Sequence, residues 1–272
     1  SYNNLVDSDA ALSLIQTVGT QQPACAIIKH ATPCGVAMAD NAHDAYQKAF
    51  ASDSQSAFGG IIALNTTCDL AVAQAIIEQQ FAEVILAPNY TDDALTCLRQ
   101  KPSCRVLALG TACLTPPDQP RYQSISGGFL VQTPSTHTLT ASELVCVTQR
   151  QPTQADRDEA LFAWHVVKHV KSNAIVYTDQ QQTLGIGGGQ TSRVFSAQIA
   201  ALRAEQASFS LQGAYMASDA FFPFADSVEL AHHQGIHCIV QPGGSKRDDE
   251  VIACANKHNI IMLFTGQREF LH

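Results

Sequence analysis

The chain has 272 residues, of which 46% are hydrophobic and 15% are charged, so it is long and apolar enough for one large or two small domains. Its formal net charge of -8 argues against a broad nucleic-acid-binding face, because phosphate backbones are held by clustered Lys and Arg. We find no apolar run that would span a bilayer and no basic-then-apolar leader, and we expect a soluble, cytoplasmic protein with neither nucleic-acid nor membrane partners.

The nine cysteines are irregularly spaced and include no Cys-x-x-Cys pair. An odd number in this arrangement suits reduced thiols in the cytosol better than a disulfide framework or a structural zinc site. We therefore expect nine free thiols, most of them buried.

The first half of the chain alternates short apolar runs with helical periodicity, which is typical of an α/β layered domain. Strands are predicted at 24–28, 61–64, 84–87 and 105–107, and helices at 42–51, 69–81 and 91–100.

The opening residues, Ser1 to Leu5, contain no capping pattern, so we interpret the sequence as a piece of a longer chain.

The second half repeats this alternation after a connecting segment between 111 and 142, where four prolines interrupt the periodicity: Pro116, Pro117, Pro120 and Pro134. Thr153 is then expected to cap a helix that carries Asp156 in its first turn. Further strands are predicted at 174–177, 215–217, 237–240 and 260–264, and helices near 190–203, 226–234 and 248–257.

The two halves share one short motif, Ala-Ser-Asp followed by Phe, at 51–53 with Phe58 and at 217–219 with Phe221. A three-residue match arises by chance about as readily as by duplication, so both explanations stay open. We divide the chain into two α/β units, 1–148 with the connecting segment and 149–272.

Ligands of open α/β sheets collect where strands end. The predicted strand 24–28 runs into Lys29 and His30, with Pro33 and Gly35 close behind, and we expect these last two to force a turn. Adjacent residues of an extended segment point to opposite sides, so Lys29 and His30 face one ligand only if the chain bends. On the local sequence alone, a solvent-facing Lys and a His bonded within a loop is the simpler interpretation.

A zinc-deaminase site would need H-x-E and P-C-x-x-C. No Glu follows His30 at that spacing, and no second Cys follows Cys34. We expect no catalytic zinc, and we expect Cys34 to be a small buried thiol in preference to a nucleophile.

Two glycine-rich segments allow a ligand to approach the backbone. The glycine pair of 56–60 either serves this purpose or makes a tight turn. The run 185–189, followed by Gln190 and Arg193, is typical of an anion-binding loop before a helix. It departs from the dinucleotide fingerprint at Gln190 and lacks a Gly-Lys-Ser ending.

Cations and aromatics mark three further segments. Residues 241–247 and 265–268 place Lys and Arg beside open backbone amides, which suits a phosphate or carboxylate in an acidic protein. Between Asp219 and Asp226, three phenylalanines surround Pro223 and either pack in the core or line a slot for a flat heterocycle.

Taken together and in order, seven motifs resemble the aminoimidazole carboxamide ribotide (AICAR) transformylase family: K-H-x-x-P-C-G, S-A-F-G-G, K-S-N-A-I, G-I-G-G-G-Q-x-S-R, S-D-A-F-F-P-F, Q-P-G-G-S and T-G-x-R-x-F. The joint match runs from Ser1 to His272. The resemblance implies tandem cytidine-deaminase-like, three-layer α/β/α units without zinc. It also implies transfer of a formyl group from 10-formyltetrahydrofolate, a cosubstrate, to the amine of AICAR, giving FAICAR and tetrahydrofolate in purine (IMP) biosynthesis.

Carried over by position, the resemblance makes His30 the proton acceptor, Lys29 the stabiliser of the transition state and Asn173 a third catalytic residue. The residues it places around the ribotide are Asn4, Gly59, Glu83, Asn173, Phe221 and Arg268. Those it places near the folate are Arg193, Val194, Pro223, Phe224, Asp226, Ser245 and Lys246.

The family also carries an Arg-Tyr-x-x-Asn-Pro-His-Gln segment ahead of the position that matches Ser1, and a cyclohydrolase domain before that. Ala225 stands where relatives usually have Arg, and the end of the chain lacks a second basic residue common there. We expect these departures to weaken ligand binding without changing the fold. The resemblance further implies a homodimer with shared active sites, and it leaves potassium binding open.

Two competing hypotheses remain. The chain is a folded but inactive fragment if the missing upstream segment is required for turnover. Alternatively, the glycine run 185–189 serves a nucleotide-binding oxidoreductase, against which the broken fingerprint at Gln190 argues.

Overall fold

The computed structural model describes residues 1–19, 21–115, 119–135 and 137–272, so Pro116 and Pro117 of the predicted connecting segment lie outside the described residues. The described chain is an α/β structure with one 11-stranded mixed sheet and a separate two-stranded hairpin. Within these ranges, no helix has the length and apolarity needed to cross a membrane.

The elements of the first part of the chain are α1 (Tyr2–Val18), β1 (Ala24–Lys29), β2 (Thr32–Met38), α2 (Ala42–Ser52), β3 (Gly60–Leu64), α3 (Leu70–Gln79), β4 (Ala82–Ala87), α4 (Asp92–Leu98) and β5 (Arg105–Ala108). Then follow β6 (Arg121–Ile125), β7 (Gly128–Gln132) and β8 (Val145–Cys146). The last part contains α5 (Gln154–Val167), β9 (Ile175–Asp179), β10 (Gln182–Gly187), α6 (Arg193–Gln206), β11 (Tyr215–Ser218), α7 (Asp226–His233), β12 (Cys238–Gln241), α8 (Asp248–Lys257) and β13 (Ile261–Phe264).

One succession of elements occurs twice: a helix, a β-hairpin, and then three helix–strand pairs. The strand order of the large sheet is β5-β4-β3-β1-β2-β10-β9-β11-β12-β13-β8, so each unit has the same internal order. The units join where β2 and β10 run antiparallel, with Gln182 opposite Ala37. The topology therefore repeats, while the boundary at 148 and the deaminase-like assignment stay predictions.

The sheet is covered on both faces. Helices α1 and α5 lie on one face and share a core that includes Leu14, Ile28 and Trp164. On the other face, α2, α3 and α4 cover the first unit, and α6, α7 and α8 cover the second. Alternate residues of β1 pack on opposite faces of the sheet, since Ile28 belongs to the shared core and Ile27 to the core of the first unit.

Three glycines predicted to lie in loops are strand residues with a packing role. A Cβ on Gly35 of β2 would lie 1.9 Å from Ala49 O on α2. On β10, a Cβ on Gly185 would lie 2.0 Å from Ala200 O, and Gly187 is equally tight against α6. The prediction that Gly35 forces a turn and that 185 to 187 form an anion-binding loop is therefore wrong, because these glycines let a helix approach the sheet.

Other predictions are corrected or confirmed. The hydroxyl of Ser1 accepts a hydrogen bond from the Asn4 N–H at 3.2 Å and caps α1, so the absence of a cap expected there is wrong. The hairpin β6–β7 lies in the segment predicted to be only a connection. The buried strands and most helices lie within a few residues of their predicted bounds, and Thr153 caps α5 with Asp156 as expected.

Candidate active site

A two-residue turn joins the two strands of the first hairpin, β1 and β2, and contains His30, the candidate base. Strand β1 ends at Lys29, and His30 and Ala31, both with φ of 54°, turn the chain into β2. Two non-glycine residues with positive φ are uncommon and need support. Asp7 of α1 supplies it, since its carboxylate accepts the N–H of His30 at 3.2 Å and of Ala31 at 2.7 Å. The bend expected near Lys29 is present, but Pro33 lies inside β2 and does not cause it.

Lys29 reaches across to the loop before β3. Its ammonium group donates a hydrogen bond to the carbonyl of Phe58 at 2.6 Å. The next residue, Gly59, has a φ of +73° and donates its N–H to the carbonyl of Phe81 at 2.7 Å. Glycine is needed here for its left-handed backbone. Lys29 is thus half-buried and fixed, while the His30 side chain is exposed.

Two further predicted residues lie beside this turn and complete the first cluster, which we define as Asn4, Asp7, Lys29, His30, Gly59 and Glu83. Glu83 of β4 accepts a hydrogen bond from Arg105 on β5 at 2.5 Å, which makes an ion pair between neighbouring parallel strands. Asn4 of α1 donates to the same Glu83 oxygen at 3.5 Å. Helix α1 therefore connects Glu83 to the hairpin turn.

The second cluster, Asn173, Arg193 and Asp219, lies in the second unit. The Arg193 guanidinium donates to the Asn173 side-chain oxygen at 2.9 Å, to Asp219 at 3.0 Å and to the Ser218 hydroxyl at 2.9 Å. The side chains of Arg193 and Asp219 are 12% and 0% exposed, so this is a buried ion pair. Buried charges need such partners. Arg193, predicted to meet the folate, is thus engaged within the protein and fixes Asn173.

Asn173 is held from both ends of its side chain. Its amide group donates to the carbonyl of Gln190 at 3.0 Å while its oxygen accepts from Arg193. Its own carbonyl accepts from the Ser196 hydroxyl at 2.7 Å. One amide hydrogen of Asn173 is used by Gln190, and the group has a second.

The aromatic segment after β11 divides between core and surface. Phe222 is fully buried, whereas Phe221 is half-buried and Phe224 is 50% exposed. The Arg247 guanidinium lies 4.8 Å from the centre of the Phe224 ring, a cation–π contact. Core packing is therefore confirmed for Phe222, while the slot for a flat heterocycle stays a prediction.

The remaining predicted folate and ribotide residues lie in loops and helix starts at the same sheet edge as the second cluster, and we call them the rim. Val194 lies in the first turn of α6, and Asp226 begins α7. Ser245 accepts the Arg247 N–H at 3.1 Å, and the neighbouring Lys246 is exposed. The exposed side chains of this rim also include Pro223 and Arg268.

Both clusters lie on the same edge of the large sheet, but they are apart. Strands β1 and β10 end at this edge and β9 begins there, as their antiparallel pairings require. Strands β2 and β10 separate β1 from β9, and three spacings of about 4.8 Å put Lys29 roughly 14 Å from Asn173 along the edge. An open cavity of about 500 Å³ between the units lies at the opposite edge, beside Met38, Lys48 and Gln181. One chain therefore does not bring both clusters to one reacting atom.

All nine cysteines lie in the described ranges and are free thiols, and five of them are buried. Cys34 is half-buried within β2 of the hairpin, and burial raises the pKa of its thiol to about 12. Such a thiol is a poor nucleophile, because the thiolate is the reactive form.

Sequence reasoning missed Asp7. Its partners are backbone N–H groups more than twenty residues away, and no motif records such a contact. The signal available in the sequence was an acidic residue inside a helix that was itself not recognised.

Comparison of the chain with known proteins shows its family. Residues 1–203 match the family model described as the AICARFT/IMPCHase bienzyme. The chain is 50% identical over 273 residues to the bifunctional purine biosynthesis protein PurH of Xylella fastidiosa (strain 9a5c), covering 100% of the chain and 51% of that relative. The chain thus spans about half the length of the curated relative that it matches. It belongs to the AICARFT/IMPCHase bienzyme family.

Proposed function

We propose that the chain transfers a formyl group from 10-formyltetrahydrofolate to the amine of AICAR, as a cytoplasmic enzyme of purine biosynthesis. The observation that carries the proposal is the placement of Lys29 and His30 at one fixed bend, held by the Phe58 carbonyl and by Asp7, in a member of this family.

The amine of AICAR is conjugated to an aromatic ring, so it is a weak nucleophile and must lose a proton as it attacks. Its nitrogen forms a bond to the formyl carbon, and the bond from that carbon to the folate nitrogen breaks. The His30 imidazole takes the proton from the attacking amine and is able to return it to the folate nitrogen, which leaves as an amine. An exposed imidazole on a rigid turn is suited to this exchange.

The tetrahedral intermediate carries a developing oxyanion, and a fixed cation or amide donor beside it lowers the barrier. Lys29 supplies the cation. One of its three N–H donors is used by Phe58, which positions the ammonium group and leaves the others for substrate. Asn173 supplies an amide donor that Arg193 and Gln190 hold in place.

Lys29 and Asn173 act together only if two chains contribute to one site, because the strands between them separate the clusters within a chain. A homodimer with shared active sites satisfies this requirement. The rim residues Arg268 and Lys246 would then meet the anionic phosphate of the ribotide and the glutamate of the folate, which explains local positive charge in an acidic protein.

The oxidoreductase alternative is not favoured. Gly185 and Gly187 are strand residues packed against α6, so they are not available to form a dinucleotide-binding turn. The family description also includes IMPCHase, a cyclohydrolase activity, which we test as a competing outcome.

The test is to mix the chain with AICAR and 10-formyltetrahydrofolate and to follow release of tetrahydrofolate. We expect release by the wild type and by His43→Ala, a control at an exposed histidine on α2, and a loss of at least about 10²-fold in His30→Ala. Ligand binding with no release by the wild type would indicate the inactive fragment. In a parallel assay supplied with FAICAR, ring closure by a chain that shows no formyl transfer would assign it to the cyclohydrolase reaction and overturn the proposal.

A further inference from the structure

Three side chains with metal-ligand chemistry meet between α7 and α8, away from both clusters of the candidate active site. Glu229 of α7, Cys254 of α8 and His258 at the end of α8 each offer one ligand atom, and these atoms lie within 4.8 Å of one another. Cys254 and His258 are four residues apart and so share one face of α8.

We propose that Glu229, Cys254 and His258 bind a divalent metal ion of the zinc class. One thiolate, one imidazole and one carboxylate form a mixed donor set that suits Zn²⁺ and Co²⁺ better than Mg²⁺ or Ca²⁺, which prefer oxygen ligands. Three protein ligands leave a fourth position for water.

The distances fit a tetrahedral ion after a small adjustment. The Cys254 sulfur lies 3.3 Å from one Glu229 oxygen, and the His258 Nε2 atom lies 2.8 Å from the other. Ligand atoms around tetrahedral zinc lie roughly 3.3 to 3.8 Å apart, given bond lengths of about 2.0 to 2.3 Å. The His258 to Glu229 pair therefore needs to open by about 0.5 Å. The Cys254 and His258 atoms contact different Glu229 oxygens and lie within 4.8 Å of each other, so side-chain rotation must also bring both to one oxygen.

Access and orientation also favour binding. The Glu229 side chain is 41% exposed, so an ion enters from the carboxylate side and meets the buried Cys254 sulfur last. The His232 ring stacks on that of His258, with centroids 3.8 Å apart, which holds the plane of the imidazole. Lys257 places its ammonium group 3.4 Å from Glu229 and competes with the metal for this carboxylate.

Binding is coupled to release of a proton. The S–H bond of Cys254 breaks, its proton passes to buffer, and the sulfur bonds to the ion, so affinity is expected to rise with pH. The expectation of no zinc came from motif spacing near His30. The three ligands proposed here span 30 residues from Glu229 to His258 and come from two helices, so no such motif contains them.

The first experiment measures the affinity for Zn²⁺ alone, in competition with a chromophoric chelator, on the full chain. Cys254→Ser and His258→Gln are each expected to weaken binding at least 30-fold, since each removes one of three ligands. Cys97→Ser is the matched control, because Cys97 is a buried cysteine on the last helix of the first unit. Lys257→Met is expected to bind about threefold more tightly. Equal affinity in Cys254→Ser and Cys97→Ser would overturn the proposal.

A second experiment does not depend on whether the variants fold. Co²⁺ added to the wild-type chain is expected to give a thiolate-to-cobalt charge-transfer absorption. We expect each chain to bind one ion and to release one proton. The proposal would also be overturned if this band were absent at saturating Co²⁺. The same holds if the chain bound Zn²⁺ no more tightly than a surface site with oxygen ligands alone.

Discussion

Asp7 on α1 and Glu159 on α5 lie at equivalent places in the two units, each five residues after the first residue of its helix. Each carboxylate accepts at least one backbone N–H group from the hairpin turn of its own unit. Asp7 accepts from His30 and Ala31, and Glu159 accepts from Gln181 at 2.7 Å. The second turn also has positive φ, at 50° and 54°. The same device therefore supports the same strained turn twice.

The two turns lie in different surroundings because the units join antiparallel, which puts them on opposite edges of the sheet. The first turn presents His30 to solvent. The second lies against the first unit, where Gln181 accepts the Met38 N–H at 2.9 Å and Gln180 accepts from Lys48 at 3.3 Å. One hairpin is thus free to carry chemistry, while its counterpart serves as a joint between the units.

The largest expected effect on stability compares the buried ion pair of the second cluster with a more exposed ion pair between the two units. Arg193→Met leaves the buried carboxylate of Asp219 without its cationic partner, which is expected to cost about 3 to 5 kcal/mol of the free energy of unfolding. The matched control is Arg203→Met, because Arg203 pairs with Asp53 between the units but is 41% exposed, and about 1 kcal/mol or less is expected there. Urea unfolding measures both. Equal losses would show that burial of the pair does not decide its contribution.

The glycines that pack against helices should be equally intolerant in the two units. Gly35→Ala and Gly185→Ala each place a methyl group about 2 Å from a helix carbonyl, and each is expected to destabilise the chain by about 1 to 3 kcal/mol. Gly128→Ala in the β6–β7 hairpin is the control, since a Cβ there meets nothing within 4 Å. Thermal or urea unfolding would contradict the shared packing role if only one of the two strands were sensitive.

Glu159 makes the joint sensitive to pH. Burial raises the pKa of its carboxyl from 4.5 to about 7. The folded state thus holds the proton more tightly than the unfolded state, so stability is fully present below about pH 4.5 and is lost as the pH rises to about 7. Glu159→Gln keeps an acceptor for Gln181 and is expected to be more stable than the wild type at pH 8, by about 3 kcal/mol, with little difference near pH 4. Parallel stability curves for the two proteins across this range would contradict the assignment.

The smallest expected effect on stability comes from a substitution that distinguishes the role of Asp7 from that of Glu159. Asp7→Ala removes acceptors from N–H groups that water reaches, and a cost of about 1 kcal/mol is expected. Under the proposed function it also releases the His30 turn, so formyl transfer should fall about tenfold. Glu159→Ala should leave transfer per folded chain unchanged. If Asp7→Ala retained full activity, the turn would not need this support for its chemistry.

The buried strands of the sheet could be predicted because their apolar runs are continuous and end at turn residues. Strands β2 and β10 could not, since Pro33, Gly35 and Gly185 are typical of loops until a helix is seen to pack on them. Helix α1 was missed because its large apolar residues do not keep to one face of the helix, and Asn, Asp and Ser lie among them.

The candidate site followed from the family resemblance and much less from local pattern. Lys29 and His30 alone favoured a simple surface loop, and only the ordered set of motifs gave them roles. Contacts such as that of Arg193 with Asn173 and Asp219 depend on strands that are adjacent only in the folded sheet. Their geometry is therefore invisible in the sequence.

The meeting of β2 with β10 has a consequence for any attempt to divide the chain. If its unit were expressed alone, each of these strands would be the edge strand of a five-stranded sheet. Its row of N–H and C=O groups would then be open to pairing with other molecules. Here the Thr183 hydroxyl bonds to both the N–H and the carbonyl of Val36 across that boundary. Each half thus shields the other from self-association, and a truncated unit would be expected to precipitate or to recruit a second copy at the exposed strand.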